Sequence, residues 1–443
     1  MSGSDQEDTF APAKRLLRRV TSVITVVALA LVGWFAVRSA GTPVHDAALG
    51  SGAVWVSSDE HGWARVDTAS YRMNKVVPLG DVTQVVGTVD VAQDGSAAIA
   101  WAGSRAPAII LDARTGNAVP TDVVVPAPAD KTGEPLSFKP APLVLRAGSI
   151  ALVDPRTGDL RITRYDERVG PQKDDLAPLL ARSAPVQRIG GTAAVTVGTD
   201  GVVHAVSGDT GKVVSYAPSG DRFVPAGEVT LPITARAVDI TALGPRWVVL
   251  DASGARLFAQ GNPEPFDAGI DKADRSVLLA ALQEPGPAAP RVGILGRGEA
   301  RLSEVAEPDD DEDNGGVVLP VENSGSGLAK STLTRPVVQG RCLRAAWLLG
   351  KVYYGVNCGD QAQIPAVTLD PKGNTGGSRP SGVRFRLNRS RIVLDLVTTG
   401  EVWSIEGDPV AITDWTRAAE RQRAVAPPAT RTSSPTRTGR TAS

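Results

Sequence analysis

Residues 109–117 read IILDARTGN, and residues 151–159 read ALVDPRTGD. Each is an apolar strand running into an Asp-x-x-Thr-Gly turn. The Asp can bond the backbone two residues on, and the Gly supplies a positive φ at the exit. The kernel recurs: Val203 to Val206 runs into Ser207-Gly208-Asp209-Thr210-Gly211-Lys212, and Val248-Val249-Leu250-Asp251 runs into Ala252-Ser253-Gly254. Weaker copies are Arg65-Val66-Asp67-Thr68, Ile294-Leu295-Gly296-Arg297-Gly298 and Leu396-Val397-Thr398-Thr399-Gly400-Glu401. Taken at Asp67, Asp112, Asp154, Asp209, Asp251, Leu295 and Thr399, the kernels step by 45, 42, 55, 42, 44 and 104 residues, and the last gap leaves room for one more unit around Cys342–Cys358. A period near 45 residues with several strands per unit marks a β-propeller. The sequence therefore predicts an all-β fold over residues 51–415, a propeller of eight blades, or seven if one unit is swollen by a loop.

Composition agrees. Gly 46 and Pro 33 in 443 residues argue against long helices and for short strands and turns. The best helical candidate, residues 174–182, is one or two turns long. Hydrophobic residues at 42% allow a sizeable core. Lys+Arg 47 against Asp+Glu 48 gives a formal charge of −1, which argues against a strongly basic nucleic-acid binder. Three His and two Cys leave little material for zinc, haem or iron–sulfur ligation, so no metal and no cofactor is expected. Trp55, Trp101, Trp247, Trp347 and Trp403 each lie in a short apolar strand. They are either a ring of stacking residues for a sugar or cofactor or the packing between neighbouring blades, and large aromatics favour packing.

The N-terminus reads as a membrane anchor. Lys14, Arg15, Arg18 and Arg19 precede Val20–Val37, VTSVITVVALALVGWFAV, eighteen residues without a charge. At ~1.5 Å per residue this helix just spans a bilayer core. The basic flank places residues 1–19 in the cytoplasm and everything beyond Arg38 outside. A cleaved signal peptide is the rival reading, but the run is long for one and Arg38 sits where cleavage sites want small residues. Residues 38–50 form a linker. The Arg/Ser/Thr/Pro-rich tail 416–443 is expected to be disordered. The acidic run Glu307–Asp313 fails as a calcium loop, because counting from Asp309 the twelfth position is Pro320.

Cys342 and Cys358 flank two apolar strands, Leu343–Leu349 and Val352–Asn357. A hairpin centred on Gly350 sets the two cysteines directly opposite each other, within disulfide reach, and the extracytoplasmic side permits oxidation. A structural disulfide is expected.

No catalytic constellation emerges, for there is no G-x-S-x-G, no P-loop, no G-x-G-x-x-G and no H-E-x-x-H. His45 lies in the linker, His61 in the Glu60-His61-Gly62 turn and His204 in a Val-rich strand. Each reads as a surface or packed residue. Carboxylate pairs for glycoside hydrolysis are untestable by spacing in a strand-rich chain.

The strand–Asp–x–x–Thr–Gly kernels resemble those of quinoprotein-type propellers, whose enzymes imply a calcium and cofactor site that this sequence does not locate. A second resemblance lies at the ends of the ectodomain. It is carried by Leu49-Gly50-Ser51-Gly52 before Val54-Trp55-Val56, and by Gly340-Arg341-Cys342-Leu343-Arg344-Ala345-Ala346-Trp347 leading to Asn357-Cys358. It continues in Phe385-Arg386-Leu387-Asn388-Arg389, Ile392-Val393-Leu394-Asp395, Gly400-Glu401-Val402-Trp403 and Asp414-Trp415. These are similar to the propeller portion of large actinobacterial membrane-anchored proteins that continue into Ig-like or fibronectin type III repeats. Here an Arg/Ser/Thr/Pro stretch follows Trp415 instead, and the resemblance supplies no catalytic residue. The expected function is a non-catalytic, membrane-anchored interaction or scaffolding module of the cell envelope whose partner is an envelope protein or a polysaccharide. The alternative is a polysaccharide-binding or polysaccharide-cleaving surface protein. Aromatics buried between blades favour the first, and aromatics on one rim the second.

Overall fold

The computed structural model describes residues 53–425 apart from 80–88, 113–115, 128–137, 234–236, 263, 271–277, 297–298, 306–316, 321–330, 360–363, 365 and 370–381. Residues 1–19, expected to be cytoplasmic, the expected anchor Val20–Val37, the expected linker with His45, the acidic run Glu307–Asp313 and the tail beyond 425 lie outside these residues. Among the described residues no helix is long and apolar enough to cross a membrane.

The described strands form eight antiparallel sheets, each assembled from strands consecutive in sequence. They cover residues 53–77, 89–124, 143–188, 193–230, 238–267, 281–320, 332–369 and 383–412, here blades 1 to 8. The fold is an eight-bladed β-propeller. Eight apolar clusters hold it together, and each joins one blade to the next. One, for example, joins Trp55 and Val77 of blade 1 to Val89 and Leu111 of blade 2. Another sets Val393, Val402 and Ile412 of blade 8 against Val54, Val66 and Met73 of blade 1, and so closes the ring.

The strand Ala97–Ala102, AAIAWA, shows why these segments read as apolar runs rather than alternating ones. All six residues are buried. Ala97, Ile99 and Trp101 face blade 3. Ala98, Ala100 and Ala102 face blade 1. A blade is covered on both faces by its neighbours, so the period-two alternation separates two buried faces instead of core from solvent.

The kernel turns form as expected, with the register changed at two of them. The glycine amide donates to the carbonyl four residues back, Gly116 to Asp112 (2.6 Å), Gly158 to Asp154 (2.8 Å), Gly211 to Ser207 (2.9 Å) and Gly400 to Leu396 (2.8 Å). The equivalents of Asp112 are therefore Ser207 and Leu396, not Asp209 and Thr399. Ser207 does the aspartate's work, its Oγ accepting the Thr210 amide. Residues 174–179 form a short 3₁₀ helix.

The tail is not disordered from residue 416. Trp415–Val425 is an α-helix. Trp415 and Ala418 are buried and Ala419 packs beside them, an i, i+3, i+4 stripe continued at i+7 by Gln422. The helix lies against the outermost strand of blade 1, Arg72–Val77. The Met73 amide donates to Asp414 Oδ1 (3.0 Å) and the Val76 amide to Gln422 Oε1 (3.1 Å), while Arg421 donates to the Met73 carbonyl (2.8 Å). Blade 1 has three strands where most have four, so helix side chains satisfy an edge that a fourth strand would otherwise cover. The stripe is diluted by the Arg/Ser/Thr/Pro composition of residues 416–443.

Candidate functional site: the central channel

The inner strands of the blades face a common axis. Seven of the eight blades line a central cavity of about 220 Å³. Charge is concentrated there. Arg146 comes from blade 3, Glu284 from the segment after the inner strand of blade 6, Arg335 from blade 7 and Arg384, Arg386 and Arg389 from blade 8, with Asp90 and Asp94 from blade 2.

Two arginines serve as clamps. Arg386 is 6% exposed. Its Nε donates to Asp395 Oδ2 (2.9 Å), its Nη2 to Ser57 Oγ of blade 1 (2.6 Å), and its Nη1 to the Asp90 carboxylate and, at 3.3 Å, to the Val91 carbonyl of blade 2. It thus spans blades 8, 1 and 2. Burial opposes ionisation of Asp90, but the charges of Arg384 and Arg386, with hydrogen bonds from Arg386 and the Val91 amide, outweigh it and hold the carboxyl below its usual range. Arg335 repeats the device on the other side of the ring. It donates to Asp239 and, at 3.2 Å, to the Ile240 carbonyl of blade 5, and at 3.2 Å to the carbonyls of Leu282 and Gln283 of blade 6. Its guanidinium lies 5.2 Å from the centre of the Phe138 ring.

Local sequence explains how these groups reach the axis. Pro336 has no N–H to give a ladder. The inner strand of blade 7 is accordingly broken into Thr332–Leu333 and Val337–Gln339, and Arg335 stands in the break. The Pro336 carbonyl instead accepts the Glu284 amide at 2.9 Å, which pins Glu284 beside the channel. The two clamped aspartates occupy one position, second in the inner strand, in Val89-Asp90-Val91 and Val238-Asp239-Ile240. An Asp inside an apolar strand was the available signal. Arg386, Arg389 and Asp395 fall in the motifs quoted above for their resemblance, but none of the channel residues belongs to a catalytic motif that would mark a site.

Of the cysteines, tryptophans and histidines named from the sequence, only Trp101 touches the cavity. Cys342 and Cys358 form a disulfide across the blade 7 hairpin, with Cα atoms 3.9 Å apart. The register pairs Leu343 with Asn357 and Leu349 with Lys351 about Gly350, the register expected. Trp55, Trp101, Trp247, Trp347 and Trp403 are all buried and belong to clusters between blades. Trp347 adds a hydrogen bond from Nε1 to the Gly296 carbonyl of blade 6 (2.9 Å). His204 is buried, with Nδ1 2.8 Å from Ser215 Oγ and Nε2 3.0 Å from the Pro245 carbonyl. A carbonyl only accepts, so Nε2 carries the proton, and burial pushes the imidazole pKa down to about 4. His61 is exposed on its turn, its ring 5.2 Å from that of Trp415.

No family model matches the chain, and no curated protein matches it. Solved structures similar to it include apo AztD from Citrobacter koseri, at 12% identity and a TM-score of 0.45, covering 81% of this chain and 96% of that one. Kluyveromyces lactis Hsv2 is similar at 11% identity and a TM-score of 0.44, covering 73% and 95%. The dihydro-heme d1 dehydrogenase NirN in complex with DHE is similar at 10% identity and a TM-score of 0.49, covering 82% and 72%. None of these supplies a site residue for this chain.

Proposed function

We propose that this chain is a membrane-anchored extracytoplasmic propeller that serves as a cell-envelope interaction or scaffolding module rather than a catalyst. The observation that carries the reading is the Cys342–Cys358 disulfide, which uses both cysteines of the chain. Such bonds persist on the oxidising side of a membrane, the side to which the basic flank before Val20–Val37 assigns the propeller. A ring closed by an apolar cluster and by buried arginine clamps is a rigid platform for loops. The polysaccharide alternative is less favoured, because all five tryptophans are buried in packing between blades and only Trp101 also touches the central cavity, so they form no stacking platform on a rim. The motif resemblance to the propeller portion of large actinobacterial membrane-anchored proteins with Ig-like or fibronectin type III repeats is in keeping with this reading.

The test is topological. Protease added to intact spheroplasts should digest the propeller and leave a small membrane-embedded N-terminal fragment. Mass mapping without reductant should find the peptides of Cys342 and Cys358 joined. Full protection of the propeller, or a mature form released with its N-terminus near Gly41, would overturn the reading. Crosslinking of the intact anchored protein should then capture an envelope partner.

A further inference from the structure

Two of the five channel arginines, Arg335 and Arg386, are consumed by their clamps. Three are not. Arg146 and Arg389 have no carboxylate within ion-pair distance among the described residues. Arg384 Nε is buried without a hydrogen-bond partner, and its nearest charge, an Asp90 oxygen at 3.7 Å, belongs to a carboxylate already bonded to Arg386. The same cavity holds an uncommitted carboxylate. Glu284 is fixed through its backbone, yet no hydrogen bond or ion pair is made by its side chain among the described residues, and burial pushes its pKa up against the pull of Arg335, Arg384 and Arg386. The remaining acid of the lining, Asp94, accepts the Ala147 amide at 2.7 Å.

Arg384 has Asp90 only as a shared partner, and Arg146 feels Asp94 and Glu284 only from beyond ion-pair distance; charges this weakly compensated in a partly desolvated cavity are costly to a fold, and a ligand that pairs them gives a reason to keep them. A guanidinium group presents a planar fork of donors that fits a carboxylate or phosphate. Glu284 offers only acceptors while ionised, so it calls for donors. A bare dianion would meet repulsion at Glu284, a bare cation would meet it at the arginines, and a neutral polyol would leave the guanidinium groups unpaired. The volume of about 220 Å³ lies below the ~300–1,000 Å³ of sites for drug-sized ligands. That size suits one sugar acid or one amino acid rather than a polymer strand or a macrocycle. Trp101 and Phe138 give the lining an apolar surface for the ligand's carbon skeleton.

We propose that the central cavity binds a small organic acid that also carries hydroxyl or ammonium donors, its anionic group taken by Arg146, Arg384 and Arg389 and its donors by Glu284. This site does not depend on how the chain is anchored, so its test and the topological test fail independently.

The experiment is isothermal titration of the full-length protein in detergent micelles with D-glucuronate, L-glutamate, D-glucose and inorganic phosphate. Glucuronate or glutamate should bind in preference to glucose and to phosphate, and which of the two binds identifies the donors as hydroxyls or as an ammonium. Arg146→Met should weaken binding by about tenfold or more, the loss expected for a charge-assisted hydrogen bond. It should leave the ligand-free melting temperature close to the parent's, since Arg146 has no ion-pair partner to lose. Glu284→Gln should weaken an ammonium-bearing ligand more than a hydroxyl-bearing one. If Arg146→Met fails to fold, Arg389→Ala, an exposed position, carries the same test. Equal binding of glucose and glucuronate, phosphate binding as tightly as either acid, no binding of either acid at millimolar concentration, or undiminished affinity in the arginine variant would each overturn the proposal.

Discussion

Arg386 shows how much of the ring rests on single side chains. One guanidinium group ties Asp395 of its own blade to Ser57 and Asp90 of the two blades across the closure. Replacing it with Met leaves the buried Asp395 carboxylate without its cation and Asp90 with only the more distant Arg384 at 3.7 Å, and removing one partner of a buried pair costs ~3–5 kcal/mol. Urea unfolding of Arg386→Met should show that loss. The triple variant that adds Asp90→Asn and Asp395→Asn should recover part of it, because the uncompensated charges are then gone. His204 makes a second prediction at this scale. Its folded pKa of about 4 lies below the unfolded value of 6.5, so between those values the unfolded chain binds the extra proton. Stability from this group is present above pH 6.5 and is lost as pH falls toward 4. At 1.36 kcal/mol per pKa unit the full effect is about 3 kcal/mol. Comparing unfolding free energies of the parent and His204→Asn at pH 7 and pH 4.5 should show a shallower acid decline in the variant. An NMR titration in which the His204 ring protonates near pH 6.5 in the folded protein would contradict the assignment.

At the scale of elements, the blade 7 hairpin and the C-terminal helix are stabilised by different physics. The disulfide joins residues 16 apart in sequence, and closing such a loop stabilises by ~3 kcal/mol in the chain-entropy model. Denaturation with and without reductant should differ by that order, and the double variant Cys342→Ser, Cys358→Ser should lose its sensitivity to reductant. The helix acts through contact. Deleting the chain from Trp415 removes a buried indole, the Gln422 side chain that caps the Val76 amide and the Arg421 guanidinium that donates to the Met73 carbonyl, so most of the edge of blade 1 is left open. The melting temperature should fall by several degrees, since ~1 kcal/mol moves a domain of more than 150 residues by about 2–4 °C. Light scattering should report self-association. A truncated protein with an unchanged melting temperature would return the helix to the status of a tail.

The whole molecule is a closed ring, and closure makes it cooperative. Blade 8 contributes to the clusters with blades 7 and 1 and supplies Arg386 and Asn388. The Asn388 side chain donates to the carbonyls of Ala53 (2.7 Å) and Gly95 (2.9 Å) and accepts the Gly95 amide (2.7 Å). Removing residues from 383 onward should expose apolar faces on two blades at once and yield an aggregating chain without a cooperative melt. A soluble remnant of unchanged stability, measured by size exclusion and circular dichroism, would mean that the blades behave as independent units. Ring closure also sets the channel, because it brings the inner strands carrying Asp90, Asp239 and Arg386, and the strand break carrying Arg335, to face one axis.

The repeat, the turn chemistry, the role of the tryptophans and the pairing of Cys342 with Cys358 were legible in the sequence, because each is decided within one hairpin or one blade. A turn centred on Gly350 fixes which residues oppose each other, and an apolar run such as AAIAWA declares a strand buried on both faces. The kernel was placed two residues late at Asp209 and three late at Thr399, because a serine at 207 and a leucine at 396 stand where the turn usually has an aspartate. The helix at 415–425 was hidden by its arginine-rich surroundings, since its stripe of Trp415, Ala418, Ala419 and Gln422 acquires meaning only against the open edge of blade 1. The channel was decided by tertiary structure alone. Ser57 and Asp395 are 338 residues apart, and Asp90 and Arg386 are 296 apart. No local rule links them, because the geometry that brings them together is the number of blades and the angle at which each packs on the next.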